Sequence, residues 1–84
     1  MLFVTTLKAL PGKYDEATRS FRHPKIPENI KIREFLGLFG KPDALIVFEA
    51  PDESVAAEFA VQFGSSAESV TSLALPIEQF KWTR

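Results

Sequence analysis

The chain has 84 residues, 45% of them apolar and eight of them Phe, with a formal charge of −1 and no cysteine. That describes one domain, residues 1–84, near the small end of what folds on its own core. The balanced charge, with no basic block, argues against nucleic acid and anionic membrane as partners, and the missing thiols exclude disulfides and thiolate metal sites.

Residues 1–8 lack the basic region and long apolar core of a signal peptide, and no stretch approaches transmembrane length. With no cysteine in the chain, a cytoplasmic setting is expected. Residues 2–10 read as a first strand, rich in β-branched and aromatic residues and closed by Pro11-Gly12. Residues 13–22 read as a short amphipathic helix, with Tyr14, Ala17 and Phe21 on one face and Asp15, Glu16, Arg19 and Arg22 on the other. His23 precedes Pro24, which pushes it out of the helical region and ends the helix at Arg22. Residues 23–29 then form an extended connector stiffened by Pro24 and Pro27.

Residues 28–52 are expected to form a strand, a tight turn and a second strand. The second strand, residues 44–48, has no polar side chain, so both of its faces should be covered. In the first strand Ile30, Ile32, Leu36 and Leu38 alternate on one face, with Phe35 and Phe39 on the other. If Gly40 to Asp43 is a four-residue turn, Pro42 holds its third position, which disfavours type I and allows a cis type VI bond; a slightly longer loop is the alternative. The four-residue turn places Leu38 opposite Leu45, Leu36 opposite Val47 and Glu34 opposite Glu49. Two carboxylates so close would push one pKa upward or recruit a cation, unless a bulge shifts the register or Lys31 and Arg33 neutralise the pair.

Pro51 closes the second strand and Asp52 is a good N-cap for a helix, with Glu53 in its first turn. Val55, Ala56, Phe59, Ala60 and Phe63 line one face of that helix, and Gly64 suits its C-terminal cap. Residues 69–75 read as a last strand, Thr71, Leu73 and Leu75 on one face and Val70, Ser72 and Ala74 on the other. Pro76 breaks it, and a tail follows with Phe80 and Trp82 as apolar anchors that should cover something.

The order β-α-β-β-α-β is the split βαβ arrangement: an α+β, ferredoxin-like fold with a four-stranded antiparallel sheet and two helices on one face. Apolar side chains on both sides of the strands leave an uncovered patch of several hundred Å², large for a soluble monomer. Hiding it on two subunits would contribute on the order of 10 kcal/mol before association costs, so a two-fold homodimer joined sheet to sheet is expected.

The run Leu38-Phe39-Gly40-Lys41-Pro42-Asp43, continuing through the apolar strand to Glu49-Ala50-Pro51-Asp52, resembles the core of the GYD family of small dimeric α+β barrel proteins. That family has a Gly-Tyr-Asp-like turn; here Gly40-Lys41-Pro42-Asp43 stands in its place and the Tyr is absent. The likeness extends through Gly64-Ser65 to the last strand, about two thirds of the chain. The approach to the hairpin, residues 27–31, also resembles a second group of stand-alone barrel domains. Both resemblances imply the dimeric barrel fold. Neither brings an established activity, so no catalytic residue is transferred, and related barrels range from monooxygenases and isomerases to ligand-sensing domains.

Three functions come into question, beside a purely structural or assembly role in which the dimers form a higher oligomer. The first is binding of a small apolar or aromatic molecule between the two sheets, with Phe35, Phe39 and Phe48 lining the pocket and the Glu34/Glu49 pair on the opposite face; packed Phe side chains are more often plain core than ligand wall. The second is a cofactor-independent enzyme of monooxygenase or isomerase type, with Glu34, Glu49 or His23 as acid or base. The third, an RNA-binding domain with the same strand order, needs exposed stacking aromatics where this chain has Ala44 and Ile46, and it is rejected. No cofactor or metal is expected, since no nucleophile triad, metal-ligand cluster or phosphate-cradling glycine loop is present.

Overall fold

A computed structural model describes residues 1–81, in the order β1 (Leu2–Ala9), α1 (Tyr14–Arg22), β2 (Lys31–Gly37), β3 (Ala44–Glu49), α2 (Glu53–Val61), β4 (Ala67–Ala74) and a single 3-10 turn, Ile77–Gln79. The strands form one antiparallel sheet in the order β2-β3-β1-β4. This is the ferredoxin-like α+β fold expected from the element order.

The helix side of the sheet carries Phe3, Thr5 and Leu7 from β1 and Ala44, Ile46 and Phe48 from β3, all buried. Aromatic rings connect this layer to the helices. Phe3 stacks on Phe48 at 5.8 Å, Phe48 meets Phe59 edge-on at 5.0 Å, and Phe59 meets Phe63 at 6.0 Å. Phe63 then receives Phe21 of α1 and Phe35 of β2 at 5.8 and 6.3 Å. Such edge-to-face pairs add to the area each ring removes from water. The one polar group deep in β1, the Thr5 hydroxyl, is satisfied by Thr71 across the β1–β4 ladder at 2.7 Å.

Both helices begin close to the expected positions. Asp52 caps α2, its carboxylate accepting from the Val55 N–H at 2.9 Å. At α1, Lys13 holds the cap position and supplies no side-chain bond. α2 ends at Val61, before the expected Gly64 cap; Gly64 lies in the following turn, where the Val61 carbonyl would stand 3.2 Å from a Cβ at that position. In the tail, Ile77 and Phe80 are exposed, and Trp82 lies outside the described residues.

The hairpin departs from its expected register. The connection is longer than four residues: the Leu38 N–H bonds the Asp43 carbonyl at 2.9 Å, the Lys41–Pro42 bond is cis, and Gly40 takes a φ of 152° that is chiefly open to glycine. Leu45 therefore faces Leu36 rather than Leu38, and a bulge between Ile32 and Glu34 moves the ladder by one further residue. Glu34 opposes Val47, while Glu49 opposes Lys31 and its Oε2 accepts a bond from Arg33 Nε. The expected like-charge contact between Glu34 and Glu49 does not form. The bulge also switches faces along β2: Ile32 pairs with Phe48 and Phe35 with Ile46 on the helix side, whereas Glu34 and Leu36 look the other way.

Among the described residues, α1 and α2 both pack on one face of the sheet and leave the second face without either. Its central rows are Leu36–Leu45–Thr6–Val70 and Glu34–Val47–Val4–Ser72, with Leu2 and Ala74 beyond them. Charge gathers at two ends, Lys31, Arg33 and Glu49 at one and Lys8 and Glu68 at the other. Leu36 and Val70 are exposed, and Leu2, Val4, Leu45 and Val47 are half-buried by their neighbours alone.

Candidate binding cleft

On the helix side, the ladder row at the turn end of the hairpin is Gly37–Ala44, continuing to Leu7 in β1. The rows next to it are Phe35–Ile46 and Ile32–Phe48. Two small positions thus follow two bulky rows; Ala44 is covered by the core, whereas Gly37, the last residue of β2, is exposed. A Cβ built on Gly37 would meet nothing within 4 Å. Glycine weakens a strand interior and commonly marks a place where something else approaches the backbone.

The result is a cleft of about 640 Å³ between α1 and the hairpin, within the range of small-molecule sites. Tyr14, Thr18 and Arg22 reach it from one stripe of α1, four residues apart, with Phe21 beside them. Phe35, Gly37, Leu38 and Phe39 supply the hairpin side, and Asp43 and Ala44 the end. Phe39 stands fully exposed at the tip of the hairpin, and Tyr14, expected to pack inward with Ala17 and Phe21, is exposed on the cleft side. Asp43 is anchored: its Oδ2 accepts from the Ala9 N–H at 2.8 Å, and its own N–H donates to the Leu7 carbonyl at 2.9 Å. Thr18 Oγ1 donates to the Asp15 carbonyl at 3.0 Å.

Of the three aromatic residues expected in a pocket, Phe35 and Phe39 line this cleft. Phe48 does not. It lies on a central strand beneath Phe59, 0% exposed, and is a core residue. Phe35 faces the helices, so a pocket built on it lies within one chain rather than on the open sheet face. The three acid/base candidates are scattered. Glu34 and Glu49 belong to the open face, Glu49 paired with Arg33, and His23 is exposed just past α1, outside the cleft that its neighbours Arg22 and Pro24 line. Among the described residues, no three His, Asp or Glu side chains come together as a metal site, and no helix is long and apolar enough to cross a membrane.

Tyr14, Thr18, Arg22, Gly37 and Asp43 were not singled out for a site from the sequence. Two signals pointed to them: a glycine inside an otherwise bulky strand, and polar residues at helical spacing beside an aromatic one.

No family model, no curated protein and no solved structure matches this chain. Its functional reading therefore comes from its own geometry.

Proposed function

We propose that the protein is a homodimeric binding module for a small apolar or aromatic molecule, seated in each subunit between α1 and the β2–β3 hairpin. The observation that carries this is the open space at Gly37, walled by Phe21, Phe35 and Leu38. A mostly apolar concavity with a few polar groups at its rim is the usual make-up of a ligand site. None of Glu34, Glu49 and His23 lines the cleft, which favours binding over acid–base catalysis by those three residues. The test is a titration with indole, a neutral aromatic probe, followed by amide shifts. Saturable binding that Gly37→Val abolishes is expected; equal binding by the variant would refute the reading.

The dimer is proposed on the other sheet face. Leu36, Leu45, Val47, Val4 and Val70 form a contiguous apolar surface there, and the charged groups at each end include both signs, so a two-fold copy meets opposite charge. The resemblance to dimeric barrel proteins supports the same arrangement. A cytoplasmic setting is proposed with it, which the absence of cysteine suits.

A further inference from the structure

The cleft's polar groups narrow the class of ligand. Arg22 enters from the last turn of α1 and Asp43 from the end of the hairpin, and both line the same cavity. Among the described residues, neither side chain takes part in an ion pair. One carboxylate oxygen of Asp43 is held by the Ala9 N–H, which fixes the group in place, while no protein donor among the described residues reaches Oδ1. Arg22 has no side-chain partner there either. Two opposite charges thus border one aromatic-walled space without meeting each other.

We infer that the ligand is an aromatic zwitterion of the α-amino acid type, its carboxylate on Arg22, its ammonium on Asp43 and its ring over Gly37. The inference rests on the cleft being the binding site proposed above. A ligand with only a carboxylate would meet Arg22 favourably and Asp43 unfavourably, and one with only an amine would do the reverse. A molecule carrying both leaves neither rim charge opposed. Guanidinium suits the carboxylate because its planar fork matches two oxygens at once. The ring needs a slot without a side chain, which Gly37 provides at the end of β2, and Phe35 and Phe21 form its walls. Since Arg22 is exposed, each charge should improve affinity only about three- to fivefold, the range of solvent-facing pairs.

Four probes of one ring system separate the contributions: indole, indole-3-propionate, tryptamine and L-tryptophan, each titrated against isotopically labelled protein. L-Tryptophan should bind about tenfold more tightly than indole, with the two singly charged probes no better than indole by more than about twofold. Arg22→Gln should bring L-tryptophan down to the affinity of tryptamine. Asp43→Asn, which keeps an acceptor for the Ala9 N–H, should bring it down to that of indole-3-propionate. Gly37→Val should abolish all four, and Thr18→Phe, narrowing the cleft from the helix side, should do the same; dispersed amide spectra show that each variant is folded. If all four probes bind the wild-type protein equally and Gly37→Val removes them, the cleft binds but the charges do not select, and this inference is overturned. Indole-3-propionate matching L-tryptophan would overturn it as well, by removing Asp43. Binding that ignores Gly37→Val and Thr18→Phe would overturn the proposed site and this inference together.

Discussion

Gly37 has a conformation any residue can adopt and open space where a side chain would go. Gly37 is the last residue of β2 and pairs with Ala44, a place a β-branched residue suits, so Gly37→Val should raise stability by up to about 0.5–1 kcal/mol, read as a higher denaturation midpoint, while narrowing the cleft. Gained stability with lost binding would mean that the glycine serves the ligand, not the fold. Phe63 is the opposite case. It joins α1, β2 and α2 through Phe21, Phe35 and Phe59, and Phe63→Ala should cost about 3–5 kcal/mol, much of the stability of a small domain. At this scale the sequence was partly legible. Alternation grouped Phe35 with Phe39 and set both apart from Ile32, yet it could not tell which strand was central and which lay at an edge. That difference, set by the β2-β3-β1-β4 order, makes Phe48 core and Phe35 cleft wall.

The helices and strands were readable because their signals are local. Asp52 with Glu53 marked α2, and Asp52→Ala should lower stability by about 1 kcal/mol, a fall of about 4–8 °C in the thermal midpoint. The hairpin register was not readable from a turn chosen by four residues. It depends on a longer connection and on a bulge, and each displaces every later pair. The signal that could have shown the bulge is a spacing of three: Ile30 and Ile32 are followed on the same face by Phe35, not by Glu34. Arg33, the extra residue, turns to Glu49 and forms an exposed ion pair. Glu49→Gln should therefore change stability by less than about 1 kcal/mol, and the difference should shrink as salt is added. A large, salt-independent loss in the denaturation midpoint would contradict that reading of the pair.

For the whole molecule, the two faces of the sheet differ in what covers them. The face toward the helices holds the aromatic core and, at its uncovered end, the cleft. The other face offers apolar rows that a second copy can cover. Sedimentation should find a dimer at micromolar concentration, and Val4→Glu, at the centre of the open face, should give a folded monomer that still binds indole. The fold and the surplus of apolar surface were legible from the strand pattern; the separation of the cleft from the apolar open face was not, because it follows from the faces that β2 presents after its bulge. The most direct test is an amide shift map of the labelled protein titrated with indole. The account predicts perturbations confined to α1, residues 35–38 and residues 43–44, with Val4, Val47 and Ser72 unmoved. Shifts centred on Val4 and Val47 would place the ligand between the sheets and contradict it.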